Sequence, residues 1–514
     1  MSNEFDLVIV GGGIAAIALL EELSSTLDIR IAIVYGGAIT ERLEKSDTLS
    51  SNHHPLDECS NAVFGGTSKT WGGRCVDYNE VDFLSRDYIK AEWPINKHEL
   101  APYYPAACDF FEIGTSGFDY SGSDSLMDSH SAFSTSSCER WSLPLRLQGR
   151  RKEFESQTNI TIIDDFHLLR LEKCEIGYRL ISNDESGGMI ETKLCVLAAG
   201  GLGTTKILLN SLTTEEYPAL GKYYQGHLSG KIANIVFNNP ENVDYSFQRD
   251  KGVYTRWRFQ PTCKTVKNNK LLNSALWIDN LPVYDSSHGN AILSFVYLLF
   301  SMPLISKFLA PPSIRKALLG GVKFCFKKHL KNVIKSPLSV LSFVVPFFFK
   351  RYVLKRKIPG FFLFSPHGKY SLHFHSEQEP VEHNKIVKKK GAGFDIRYVF
   401  SDFDCESVLT THKLLDEYLR EEGLGYLEFY SNDHASLIET MRHKCIDGIH
   451  QIGLTRMSSS QSDGVVDQDL EVFNMENLFV LSSGVFPTSS QANPTFLLVV
   501  FAKRLSNEIK GRFS

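Results

Sequence analysis

The chain has 514 residues, 43% of them hydrophobic and 22% charged, which describes a globular protein of more than one domain. A net charge of −4 excludes a general attraction to nucleic acid. Ten cysteines without a CxxC pair exclude a disulfide scaffold and a structural zinc site, and they point to a reducing compartment.

The first residues run straight into a strand, with no basic stretch ahead of an apolar core, so no signal peptide is expected. Phe5 to Val10 is apolar and rich in β-branched residues, and predicts that strand. It ends at Gly11-Gly12-Gly13, and Ile14 to Leu23 predicts an apolar helix. Gly11, Gly13 and Ala16 form the spacing G-x-G-x-x-A. Missing side chains let a pyrophosphate approach the backbone, while the helix opening at Ile14 supplies N–H donors and partial positive charge. A plain strand-to-helix turn carries the same residues; the N-terminal position and a second strand at Ile29 to Val34 favour the dinucleotide reading. An acid ordinarily ends that strand and binds ribose hydroxyls. Here Tyr35 stands in its place, and either its hydroxyl or Glu41 reaching back is expected to serve.

Residues 40 to 60 are polar and predict a loop. Phe64-Gly65-Gly66-Thr67-Ser68-Lys69-Thr70-Trp71-Gly72-Gly73-Arg74 follows. Such glycine density leaves backbone N–H groups able to line a phosphate or a flavin edge, and Trp71 is expected to pack rather than float. Residues 112 to 140 predict a long connection or lid. Strands are expected at Asn159 to Asp165 and within Leu168 to Leu180. A buried strand from Leu194 ends in the small residues Ala199 and Gly200, with a helix from Thr204. His227 is expected to be a packed structural histidine.

Between Asp285 and Glu377 the chain has no Asp or Glu. Ala291 to Ala310 is apolar but interrupted by Pro303 and Lys307. Leu338 to Phe349 is apolar but too short to span a bilayer, and is broken by Pro346. Lys323, Lys327, Lys331 and Lys335 recur every four residues, with Leu318, Val322, Phe326 and Val333 towards another side. Lys350, Arg351, Lys355, Arg356 and Lys357 close the region. An insert at about 290–358 of this kind fits a platform lying on anionic lipid rather than a full span; a helical insert packed on its own domain is the alternative.

Tyr370 to His375 predicts a strand with His373 and His375 on one face. That pair lacks a third ligand at persuasive spacing, so no metal is expected. Val408 to Glu421 predicts an amphipathic helix. The ending then runs His450-Gln451-Ile452-Gly453, Asp463-Gly464-Val465-Val466-Asp467, Asn477 to Leu481, Ser482-Ser483-Gly484, and Asn493-Pro494-Thr495 opening an apolar helix.

This order resembles the C-terminal signature of the glucose-methanol-choline (GMC) family of flavin oxidoreductases. Gly65 to Arg74, with Trp93-Pro94-Ile95, Leu100 and Pro102-Tyr103-Tyr104, resembles its sugar-oxidising branch. The resemblance covers about residues 5–110, 155–230 and 370–508 and fades across 235–365. It implies an α/β protein, with a Rossmann-like FAD-binding domain (1–75, 155–230 and 440–514) and an α+β substrate domain with an antiparallel sheet (76–154 and 231–439). Thr70 stands where some members tie the flavin to a histidine, so non-covalent FAD is expected. The FAD would lie against Gly11, Gly13, Ile14, Ala16, Tyr35, Gly65, Gly66, Thr67, Ser68, Trp71, Gly72, Ala199, Gly200, Ser483, Gly484, Pro494 and Thr495. His450 would take the hydroxyl proton of an alcohol, Asn493 would donate a hydrogen bond to its oxygen, and hydride would pass to flavin N5. The expected substrate is a secondary alcohol on a sugar, a lipid-linked saccharide among the candidates, with a quinone as a candidate electron acceptor. The expected location is peripheral, on the cytoplasmic face of the inner or plasma membrane. A sterol or lipid-alcohol oxidase is an alternative. So is a redox-inactive membrane-bound binding protein, because Tyr35 and Ser482 stand where relatives carry acids.

Overall fold

The computed structural model describes residues 4–36, 47–114, 117–118, 132–134, 137–142, 147–183, 188–242, 247–309, 315, 318–320, 325–349, 353, 360–390 and 393–513. The expected contributions of Glu41, Val322, Lys323, Lys350, Arg351, Lys355, Arg356 and Lys357, and most of the 112–140 connection, fall outside those residues.

β1 (Glu4–Val10) is almost continuously buried, as a strand covered on both faces requires. It leads through the glycine turn into α1 (Ile14–Ser24) and then β2 (Ile31–Val34). β2 pairs parallel with β1 on one side and with β3 (Ile160–Ile163) on the other. β4 (Leu168–Cys174) and β5 (Gly177–Ser182) form an antiparallel hairpin, which joins β6 (Met189–Leu197) along its first half. β6 then runs parallel beside β1, with Val10 opposite Leu197, and delivers α2 (Gly200–Ser211) at the same sheet edge as α1. Both glycine-led helices therefore start at the carboxyl end of central parallel strands, where open α/β sheets place ligands.

The second layer begins with β7 (His227–Phe237) and β8 (Ser274–Asp279). Between β8 and the next strand lies the insert: α3 (Ala291–Phe300), α4 (Pro303–Leu309), α5 (Phe326–Lys335) and α6 (Pro337–Phe348). β9 (Lys369–Glu377) follows, then α7 (Asp402–Glu421) and β10 (Gly425–Phe429). The strands form an antiparallel sheet in the order β8-β9-β7-β10, and α7 covers one face through Val408 and Leu415. α7 starts before the expected Val408 because Ser401 caps it, with Asp404 completing a capping box.

The insert leaves this sheet at the Asp279 end of β8 and returns at the Lys369 end of β9. α3 and α4 meet at a 103° bend, and among the described residues no single helix is long and apolar enough to cross a membrane. α5 packs with its polar side inward. His329 bonds Ser294 at 3.1 Å, and Asn332 bonds Ser286 O at 2.9 Å and Ser294 at 3.1 Å. Its apolar row Phe326, Leu330 and Ile334 faces out, beside exposed Lys327, Lys331 and Lys335.

The chain finally returns to the first layer. β11 (Leu478–Val480) pairs parallel with the second half of β6. α8 (Thr495–Arg512) packs on α1 and ties to it through Lys503 and Glu22 at 2.8 Å.

Candidate active site

The glycines at the end of β1 do different work. At Gly11 (φ +115°) a Cβ would lie 2.3 Å from Ala198 O, so that position allows β1 and β6 to close on one another. At Gly13 a Cβ would meet nothing within 4 Å, so the space in front of α1 is open. Gly65 N donates to Gly12 O at 2.7 Å, and a Cβ on Gly66 (φ +54°) would lie 3.0 Å from Gly13 Cα. The 65–69 turn is thereby seated on the first glycine turn, with Ser68 bonded back to Gly65 O and Thr67 exposed. Gly72 also faces open space, while Trp71 is half-buried with its ring 5.7 Å from Phe111. Ala199 and Gly200 open α2 beside them. Gln451 holds that helix start, its Oε1 accepting from Leu202 N at 2.9 Å. Ser483 donates to Gln451 O at 2.8 Å, and Ser482 caps the turn by accepting from Gly484 N at 3.2 Å. Pro494 caps α8, with Thr495 its first residue. Ile14 lies half-buried at the start of α1, and Ala16 is buried. α1 and α2 both start at the carboxyl ends of neighbouring strands, and Gly13 and Gly72 each leave open space. This cradle fits a dinucleotide such as FAD.

Tyr35 does not stand free to meet a ribose. Its hydroxyl bonds the Asp164 carboxylate just past β3, and Arg151 donates to both, at 2.7 Å to Tyr35 and 2.6 Å to Asp164. Burial and then the neighbouring Asp164 hold the phenol protonated. The carboxylate near the end of β2 thus comes from the adjacent strand. Sequence reasoning missed it because strand adjacency, not spacing, brings Asp164 there.

Asn493 Nδ2 donates to His450 Nε2 at 2.9 Å. The amide's orientation is fixed from behind, since its Oδ1 accepts from Arg74 Nε at 2.8 Å. His450 Nδ1 lies 3.2 Å from Asp447 Oδ2 and 3.0 Å from His227 Nδ1. His227 Nε2 faces the carbonyl of Ser489 at 3.2 Å and must donate to it, so its Nδ1 is an acceptor. His450 therefore carries its proton on Nδ1, shared between His227 and Asp447, and presents an unprotonated Nε2. Burial alone would raise the Asp447 carboxyl. His450 and His227 beside it outweigh that effect and hold it well below the usual range. It also accepts backbone N–H bonds from His227 at 2.7 Å and Ile449 at 3.0 Å. Burial lowers His227 to about 4.

His227 is packed as expected, fully buried against His375, and it is also a direct hydrogen-bond neighbour of His450. His373 and His375 also separate. His373 stacks on Trp277 at 4.5 Å and bonds Ser229 at 3.0 Å, whereas His375 stacks on His227 at 4.0 Å and donates to Gln491 O at 2.8 Å. Ligand atoms of His227, His375 and His450 lie within 4.8 Å of one another, a metal-capable cluster drawn from three distant segments. The hydrogen bonds above already order these rings without an ion.

Residues 390–502 match the family model described as GMC oxidoreductase. No curated protein matches the chain in sequence. Among solved structures, pyridoxine 4-oxidase from Mesorbium loti is similar over 98% of this chain and 99% of its own, at 15% identity and a TM-score of 0.53. An FAD-dependent oxidoreductase from Chaetomium thermophilum covers 99% of both chains at 14% identity and 0.53, and a fungal aryl-alcohol oxidase covers 100% of both at 12% and 0.52. The chain is thus similar to GMC oxidoreductases in sequence over residues 390–502, and in fold along its whole length to these enzymes.

Proposed function

We propose that this protein is an FAD-dependent oxidoreductase that oxidises an alcohol at the His450–Asn493 pair. The observation carrying this reading is the 2.9 Å contact of Asn493 Nδ2 with an unprotonated His450 Nε2 beside a glycine cradle open at Gly13 and Gly72. Bound FAD supplies the hydride acceptor. His450 Nε2 takes the hydroxyl proton, and the Asp447 carboxylate stabilises the imidazolium that results. The Asn493 amide, held in register by Arg74, offers its second N–H to the substrate oxygen as charge develops there. Thr70 donates to Thr67 O at 3.1 Å and offers no imidazole for a covalent link, which supports FAD held non-covalently.

The finer reading is a secondary alcohol on a sugar or lipid-linked saccharide, with a quinone as electron acceptor and peripheral contact with a membrane. Its support is the insert. Phe308 is 90% exposed, Leu304 81% and Leu338 78%, and residues 286–376 contain no acid to repel anionic lipid. An apolar groove of about 650 Å³ lies between Phe308, Val345 and Phe349. Lysines flanking such a face contribute about 1 kcal/mol each near an anionic surface. β9 runs from His375 in the site to Lys369 at the insert, a span of about 20 Å, so the platform sits near the site.

Absorption spectra of protein purified in mild detergent test the enzyme reading. Flavin bands that bleach without oxygen on addition of a sugar or lipid alcohol are expected; an inability to bind FAD contradicts it. Co-sedimentation with phosphatidylglycerol vesicles, lost in Phe308→Glu and weakened by salt, tests the platform. Equal recovery with neutral vesicles, or a dimer formed through this face, contradicts it.

A further inference from the structure

A short four-stranded sheet beside the site gathers charged side chains on one face. Arg74 begins the strand Arg74–Cys75, which pairs with Cys138–Trp141, which pairs in turn with Val253–Trp257. Glu139 and Arg256 are directly opposed across the last pair. Glu139 is fully buried and binds both neighbours, Arg74 at 3.2 Å and Arg256 at 2.6 Å. The two guanidinium groups lie 4.9 and 4.8 Å from the Trp277 ring centroid. Their side chains are 18% and 12% exposed.

A third cation stands behind them. Arg258 is buried; among the described residues its side chain bonds only the neutral Gln491, Ser137 and Gln260, and its Nε has no partner. Among the described residues, Glu139 is the one carboxylate in ion-pair contact with Arg74 or Arg256, and Arg258 has none. Nearby groups do not restore balance. Lys231 and Asp279 neutralise one another at 2.8 Å, His373 and His375 are held neutral by burial, and Asp447 is committed to His227 and His450. Three guanidinium groups thus face one carboxylate. Buried charge without a counter-ion is costly, and guanidinium edges suit planar carboxylates and phosphates.

We propose that the cleft beside Asn493 receives an alcohol that carries an anionic group, a carboxylate or a phosphate, with Arg256 and Arg74 as its counter-charge. This rests on the oxidoreductase reading above and specifies its substrate class. Arg74 joins the two functions, since the guanidinium facing the anion also orients Asn493.

The test uses FAD-loaded protein, with inorganic phosphate, D-glucuronate and glucose as probes. Phosphate and glucuronate are expected to raise the melting temperature, and glucose is not. Arg256→Gln is expected to weaken the anion response about tenfold or more, whereas Arg256→Lys keeps part of it. A shift from glucuronate alone identifies a carboxylate site, and from phosphate alone a phosphate site. The proposal is overturned if neither anion shifts the melt, if a folded Arg256→Gln responds like the parent, or if neutral sugars reduce the flavin as well as acidic ones. Flavin that no alcohol reduces would contradict the oxidoreductase reading, while the melting shift would still report on the anion site.

Discussion

The protein breaks the rule of apolar inside and polar outside in two regions, in opposite directions. Around His450, ionisable side chains are buried: His227, His375 and Asp447 are each at most 5% exposed. In the insert, large apolar side chains are exposed while the polar His329 and Asn332 are packed inward. The first region satisfies every one of those groups by hydrogen bonds, so the desolvation cost is met internally. In the second, Ile334 is 67% exposed and Leu330 36%. Buried polar order marks where chemistry is held in one geometry; exposed apolar surface marks where something else must bind.

The contrast yields graded tests. The largest effect is expected at the cradle. Gly13→Val adds a side chain into open space, so the fold should survive while flavin content falls to near zero; flavin retained at parental occupancy would contradict the cradle. Next is Asp447→Asn, which removes the carboxylate that bonds His450 Nδ1 and would stabilise the imidazolium formed in the reaction. Flavin reduction should slow by about 10²-fold with little change in half-saturating alcohol, read by stopped-flow absorbance.

The buried histidines predict the pH dependence of stability. Burial lowers His227 and His412 to about 4 and His373 to about 3, below the ordinary 6.5 they regain on unfolding. At these histidines the unfolded chain binds more protons between these limits; burial raises Asp82 to about 6 and Asp404 to about 7, and these two offset part of the effect. Stability should be flat above about pH 7 and fall by several kcal/mol from pH 6.5 towards 4. Urea midpoints at pH 7.5 and 5 would check this, and equal midpoints would contradict it. The smallest effect belongs to the insert: Ile334→Lys, at a 67% exposed position, should change stability by less than about 0.5 kcal/mol while weakening vesicle binding.

Local pattern made the glycine turns and the acid-free insert visible in the sequence, and the resemblance of the C-terminal stretch to a known family pointed to His450 and Asn493. The remainder depends on tertiary register. Asp164 reaches Tyr35 only because β3 pairs with β2, and Arg74 meets Asn493 across 419 positions. His227 and His375 meet because β7 lies antiparallel to β9, with His227 opposite Glu377. Periodicity showed that Phe326 to Lys335 is two-sided, but it carries no information on which side faces the protein. Ser294 on α3, with the Ser286 and Tyr284 carbonyls, decides that by bonding His329 and Asn332.

The most direct test compares the parent with His450→Ala, both loaded with FAD to equal occupancy, mixed anaerobically with the alcohol that bleaches the parent. The account predicts intact flavin bands in the variant and reduction slowed by about 10²- to 10⁴-fold. Reduction at the parental rate would contradict the assignment of His450 as the base.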